Sequence, residues 1–469
     1  MNAPYQAWRE EISSSPAPAR TTQLLNLAAL LLIATSPLWL YLLLVSGEDY
    51  FDYSSALLLL PPILIVHAGL VVAVSRRDGH LRRVMLVGSL AKLASASVFL
   101  YLAFHVYDMS VDALHYFYQG KVYLNAVSAN GGWLVLQPFW SNNFIYMISG
   151  ALQYVIGPSL QTATVIFALA SFWGEYFFYR AFCTAAPGAD RGQVGLLLFL
   201  FPSLVFWTAC IGKDAAILFA IGLTAYGLAK LSQHFVVAGT LLVTTGMAGV
   251  LLIRPHVAVM FATACVLPLL LAKSHKGIAG MLGRVLGLPL LIVVTLYLSI
   301  SAKDFLQVED FSHSGAVLQK VSASNSYGGS AFGRNAGLGQ RVLAAPVLFL
   351  RPFPWEVRNA QSAIAALEGL LLATLMWKRR KQLGLVLKNW RENPFVFFLL
   401  LFVTEFSIIF SAAITNFGLL ARQRVMAMPF LLMLLCLRGA QANEWAGSSR
   451  EFFAAFGAAR ALRASAPRG

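Results

Sequence analysis

Six basic side chains, Lys213, Arg254, Arg351, Arg358, Arg422 and Arg424, fall at the ends of long apolar runs. A guanidinium presents paired N–H donors that match phosphate oxygens, and an ammonium supplies a compact charge. A set of this kind suits an anionic, phosphate-bearing ligand. A second group supplies proton chemistry: Asp108, Asp112 and His115 stand within Tyr107–Tyr116. If that stretch is helical, the spacing of four puts both carboxylates on one face with His115 near it. Such a cluster could take a proton from an acceptor hydroxyl, or hold a hard divalent cation such as magnesium or manganese. A solvated loop helix with tyrosines at the headgroup level accounts for the same residues without chemistry.

Three further segments surround the cations. Phe201–Asp214 carries Lys213 and Asp214 in a hairpin with no room for a wet loop, so both charges sit close to the hydrocarbon boundary, where charge is costly and often functional. Asp214 alone is equally well explained as a helix N-terminal carboxylate. Lys213 is not, because it opposes the helix dipole. In Arg351–Asn359, two prolines restrict the backbone beside Arg351, Trp355 offers an aromatic plane for a sugar, and Glu356 and Arg358 add charge. In Asn416–Arg424, Arg422 and Arg424 are two apart and cannot share a helical face. Taken singly, each arginine could simply snorkel to headgroups.

The elements that must position these residues are membrane spans. The chain of 469 residues is 58% hydrophobic and 12% charged, with mean hydropathy +0.69, which lies outside the soluble globular range. A span needs about twenty apolar residues, and about twelve such runs are expected, near 23–46, 55–75, 84–106, 159–182, 194–210, 214–232, 235–253, 256–272, 283–301, 361–377, 395–415 and 425–438. The predicted architecture is an all-α, polytopic membrane protein. Arg76, Arg77, Arg82, Arg83, Arg191, Lys230, Lys273, Lys276, Arg284 and the cluster Lys378–Lys381 fall on one side if both termini are cytoplasmic. The six cations of the opening group then lie on the opposite side, against the positive-inside tendency.

Segments 1–22 and 439–469 read as cytoplasmic, around a membrane domain over 23–438. Two outward loops are long. The first, about 107–158, includes an apolar stretch, 143–157, too short to span comfortably and read as an interfacial or re-entrant helix. The second, about 302–360, is rich in Gly, Ser and Asn through Ser322–Gly339, and this segment is expected to act as a lid or acceptor guide.

The formal charge of +15 serves orientation, so nucleic acid is not an expected partner. Cys183, Cys210, Cys265 and Cys436 show no paired spacing, so they support neither a disulfide framework nor a metal knuckle. No Walker, dinucleotide, HExxH or CxxC motif supports ATP, redox or zinc chemistry. Lys92, Glu175, Glu368 and Glu405 lie inside expected spans and must face the bundle interior or a watery cavity. His67, on an apolar face, reads as a hydrogen-bonded core residue.

The order of these features resembles bacterial membrane glycosyltransferases of the GT-C type and related surface-polysaccharide polymerases. The resemblance rests on Pro202-Ser203, Trp207 and Lys213-Asp214, on Arg351–Glu356, and on Asn416, Gly418, Arg422 and Arg424. It implies transfer of a sugar or repeat unit from a polyprenyl-(pyro)phosphate-linked donor to a glycan acceptor at the outer face of the bacterial inner membrane. It implies that Lys213, Arg254, Arg351, Arg422 and Arg424 bind phosphate and that Asp108 or Asp112 provides the base. Asp49 and Asp52 compete for that role, because they follow the first span, where many GT-C enzymes keep the acidic motif. A flippase for the same lipid-linked sugar, or a non-catalytic part of an export complex, are the other readings; a flippase would favour inverted repeats, and none is evident.

Overall fold

The computed structural model describes residues 53–130, 140–186, 189–232, 236–271, 331–332, 338–388, 390 and 394–437. The expected spans 23–46 and 283–301, both terminal segments, Asp49, Asp52 and most of the Gly/Ser-rich loop 322–339 lie outside the described residues. Among the described residues the structure is helical, with no strand beyond one isolated bridge between Ala331 and Asn416. Two compact units divide the chain.

Unit 1 takes residues 1–135, 146–169 and 209–211. Its first described helix, α1 (Tyr53–Val74), joins α2 (Gly79–His105) through a short turn carrying Arg76 and Arg77. Asp78 stops that turn by accepting a hydrogen bond from the Leu81 amide (2.9 Å), satisfying one of the orphan donors of the α2 N-terminus. His67 on α1 meets the Ser89 hydroxyl on α2 at 2.8 Å, the core-histidine role expected of it. Lys92 is fully buried on the interior face of α2. The first long loop then holds α3 (Asp112–Ala129) and α4 (Asn142–Ile156), followed by α5 (Leu160–Ala185). The apolar stretch 143–157 is thus a 15-residue helix, α4, as its pattern requires.

Unit 2 takes 136–145, 170–208 and 212–469. It contains α6 (Arg191–Leu200), α7 (Pro202–Trp207), α8 (Lys213–Ser232), α9 (Val236–Ile253), α10 (Pro255–Leu271), α11 (Leu338–Leu343), α12 (Ala360–Lys378), α13 (Arg380–Lys388), α14 (Pro394–Ala413), α15 (Phe417–Gln423) and α16 (Met428–Cys436). Short 3-10 turns cover Ala345–Leu350, Pro354–Glu356 and Arg424–Met426. Its interior is dominated by phenylalanine: Phe261 of α10, Phe398 and Phe402 of α14 and Phe430 of α16 meet edge to face at centroid distances of 4.8–5.9 Å.

Four described helices are long and apolar enough to cross a membrane, 79–105, 213–231, 360–378 and 394–413, and the bent pair 417–426 with 428–436 makes up to five. Two expected spans are not single helices. The run 194–210 is broken into α6 and α7, because Pro202 has no amide to donate and forces Phe201 into an extended conformation (φ −69°, ψ 126°). The run 425–438 is the second half of the bent pair, turned by 60° at Ala427 just before Pro429.

Among the described residues of unit 2 the α8–α9 hairpin packs closely along its length, and small residues permit it. A Cβ on Gly227 would lie 2.7 Å from the Val243 amide, and one on Gly239 would lie 2.7 Å from Leu231 Cγ. Gly174 of α5 meets α8 in the same way, its would-be Cβ 2.7 Å from the Leu218 carbonyl, and a Cβ on Gly222 would run into the Gly174 carbonyl. The hairpin brings the first residues of α8 beside the last of α9. Gly222→Val should therefore cost about 1–3 kcal/mol or more by overpacking, read as a lowered unfolding midpoint in detergent. Gly384→Ala, where nothing lies within 4 Å of the added carbon, should leave the midpoint within about 0.5 kcal/mol.

Candidate functional site

The hairpin sets up the first cation group. Asp214, in the first turn of α8, is buried, its side chain 3% exposed. One carboxylate oxygen accepts from Arg254 Nη2 at 2.7 Å and the other from Arg422 Nε. Arg254 sits between α9 and α10, and Arg422 in the last turn of α15, so one carboxylate ties three separate segments. Lys213, the preceding residue, donates to Ser141 Oγ at 2.6 Å. Ser141 is held there in the left-handed region (φ 63°) by its amide, which donates to the Leu252 carbonyl at 2.7 Å.

Two guanidiniums thus share one buried carboxylate, and Lys213 is its neighbour in the chain. The three cations differ in access. Arg254 is 7% exposed and Arg422 26%, with Lys213 also half-buried. Arg422 and Lys213 are the reachable charges and Arg254 the anchor.

The second group is built on Arg424, which is 1% exposed. Its Nη2 pairs with Glu368 of α12 at 2.7 Å, and its Nη1 donates to the carbonyls of Phe349 (3.1 Å) and Arg351 (3.0 Å). Arg424 is therefore committed to the interior, pinning the turn that carries Arg351. It also supplies the partner of the embedded Glu368, for which spacing offered none. Arg351 is paired with Glu356, whose second oxygen also accepts from the Phe353 amide at 2.8 Å. Its guanidinium lies 4.4 Å from the centre of Phe332, which is stacked on Phe417 at 4.1 Å. A small cavity of about 70 Å³ opens beside Arg351, lined also by Arg341, Ser411, Thr415 and Leu420. Trp355 is 80% exposed and stacked on Phe353 at 4.9 Å, a free aromatic face. Arg358 is exposed and donates to the Ala331 carbonyl at 2.8 Å.

Unit 1 carries the acidic cluster. Asp108 does not share a helical face with Asp112, contrary to the spacing argument. Asp108 and Met109 are both in the left-handed region (φ 51° and 60°), Val111 is extended, and helix α3 begins only at Asp112. The chain turns here because the Met109 amide bonds back to the Ala103 carbonyl (2.9 Å) and that of Ser110 to Tyr107 (2.8 Å), which closes a turn instead of a helix. Asp112 and His115 remain together on α3, one turn apart. His115 Nε2 lies 3.0 Å from the Tyr146 hydroxyl of α4. The Tyr146 phenol is pushed above its ordinary range, first by burial and then by the Asp112 carboxylate. Among the described residues no three His, Cys, Asp or Glu side chains gather as a metal-binding group.

Ser141, Tyr146, Phe332 and Phe417 were not visible as site residues in the sequence. Ser141 is 72 positions from Lys213 and Tyr146 is 31 from His115, and neither belongs to a motif. Comparison of the chain with family models, with curated proteins and with solved structures finds no match in any of the three.

Removing one member of a buried ion pair strands the other charge. Arg424→Met should destabilise the protein by about 3–5 kcal/mol, whereas Arg424→Met combined with Glu368→Met should recover most of that loss. A double-mutant cycle of unfolding midpoints in detergent checks this, and equal losses in the single and double variants would contradict it.

Proposed function

We propose that this chain is a GT-C-like membrane glycosyltransferase with about twelve spans, acting in the bacterial inner membrane with both termini cytoplasmic. It transfers a sugar or repeat unit from a polyprenyl-(pyro)phosphate-linked donor to a glycan acceptor at the outer face. The observation that carries this reading is the sharing of the buried Asp214 carboxylate by Arg254 and Arg422, with Lys213 beside it. A structural ion pair needs one cation for one carboxylate. A carboxylate shared by two guanidiniums and flanked by a lysine, next to apolar helices, suits an amphiphile with an anionic head.

In the reaction, the bond from the anomeric carbon to the phosphate oxygen breaks and the leaving (pyro)phosphate keeps the electron pair. Lys213 and Arg422 stabilise that developing charge. The acceptor oxygen forms the new bond to the anomeric carbon, and its proton passes to a base. The base role falls to Asp112, Asp108 or His115 by their chemistry. Arg351, stiffened by Glu356 and the Phe332–Phe417 stack, and the exposed Trp355 suit the polar end of a sugar-bearing ligand.

The binding half of this reading is tested with a long-chain polyprenyl phosphate and the full-length protein in nanodiscs, by native mass spectrometry. Lys213→Ala and Arg422→Ala should each weaken binding about ten- to hundredfold, the loss of one charge-assisted hydrogen bond. Arg380→Ala, an exposed cation beside Trp377, should have no effect. Binding of both site variants at the strength of the wild type would overturn the assignment. The chemical half is tested in liposomes loaded with lipid-linked sugar, where translocation without transfer would identify a flippase.

A further inference from the structure

Ser141 is the residue before helix α4, the position at which a serine ordinarily caps. A capping serine is extended, and its hydroxyl accepts from an amide of the first turn. Ser141 does neither. Its φ is 63°, in the left-handed region, and among the described residues its hydroxyl meets Lys213 Nζ at 2.6 Å in place of an amide of α4. Its own amide donates to the carbonyl of Leu252, at the end of α9, at 2.7 Å. The chemistry of the groups fixes both directions: the ammonium and the backbone N–H donate, and the hydroxyl and carbonyl oxygens accept.

These two bonds close a ring within unit 2. Leu252 stands two residues before Arg254, Arg254 pairs with Asp214, and Asp214 follows Lys213 in the chain. The turn at Ser141 is thereby fastened to the end of α9 and to the start of α8 at once. A lysine ammonium rides on a flexible four-carbon stem, and ordering that stem costs conformational entropy. The bond to Ser141 meets that cost before any ligand arrives and takes one of the three N–H donors. The arrangement has its own cost, because serine in the left-handed region carries a backbone strain that glycine does not. Glycine can make the turn and the amide bond to Leu252 equally well. The hydroxyl is what glycine cannot supply, and the hydroxyl goes to Lys213.

We infer that Ser141 is a positioning residue, whose strained turn holds the hydroxyl that presets the half-buried Lys213 ammonium for the phosphate of an anionic amphiphile. The phosphate rests on the transfer reading above; the placement of Lys213 by Ser141 does not.

The full-length protein in nanodiscs tests both parts with Ser141→Gly, which permits the turn and removes the hydroxyl. Its thermal midpoint should equal or exceed that of the wild type. Its affinity for a long-chain polyprenyl phosphate, read by native mass spectrometry, should fall about three- to tenfold, part of the loss of a charge-assisted hydrogen bond. Binding of the neutral polyprenol should not change. On a Lys213→Ala background the same substitution should cost nothing further, a coupling that a merely structural serine would not show. Wild-type affinity in Ser141→Gly, an equal loss on both backgrounds, or a lowered midpoint overturns the inference. If the wild type does not bind the phosphate at all, the transfer reading falls, and acetylation of Lys213 by acetic anhydride without ligand decides the placement. Labelling about tenfold faster in Ser141→Gly sustains the role of Ser141, and equal rates remove it.

Discussion

Unit 2 is organised around a carboxylate that is almost out of reach of water. Asp214 carries a charge at a position where charge is expensive, and the expense is offset only because two guanidiniums converge on it. That requirement reaches far into the chain. It demands that α9 end where α8 begins, so that Arg254 arrives beside Asp214, and the glycine-stitched hairpin provides this. It also demands that the chain beyond α14 fold back through α15 in place of continuing straight, so that Arg422 arrives from the other side.

The bend after α15 makes physical sense in the same terms. Arg422 and Arg424 cannot share a helical face, and each has a buried acid to meet: Asp214 for one and Glu368 for the other. The chain resolves this by ending α15 at Gln423, passing through a 3-10 turn and leaving at 60° as α16. Arg424 then does the work of a small domain's core, joining α12 to two carbonyls of the Phe349–Arg351 turn. With that turn immobile, Arg351 can be stacked and paired near the surface at little further entropic cost. The arginines that looked alike in sequence therefore divide by burial into a structural bolt, Arg424, an anchor, Arg254, and two partly exposed residues, Arg422 and Arg351, each paired with an acid.

The acidic and imidazole side chains of the first long loop, in unit 1, follow a different constraint. They are exposed, and what specifies them is the close approach of α3 and α4 at Gly120 and Gly150. The left-handed pair Asp108 and Met109 lets α2 stop and α3 start within a few residues, which sets Asp112 at a helix N-terminus and separates it from Asp108.

The helical class, the apolar helices over 79–105, 213–231, 360–378 and 394–413, the helix at 142–156 and the core role of His67 were all legible in the sequence. They depend on local quantities: the length of an apolar run and a polar atom on an apolar face. The breaks at Phe201 and Ala427 were less legible, because a proline inside an apolar run is compatible with a kinked helix as well as a broken one. The cations were visible as a set but not as partners. Asp214 finds Arg254 40 positions away and Arg422 208 away, Arg424 finds Glu368 at 56, and Tyr146 meets His115 at 31. Side-chain type and spacing determine what a residue can do within a turn or two of its own helix. Which charge is buried against its partner and which lies nearer the surface is decided by helix packing, because burial sets the cost of leaving a charge without its partner.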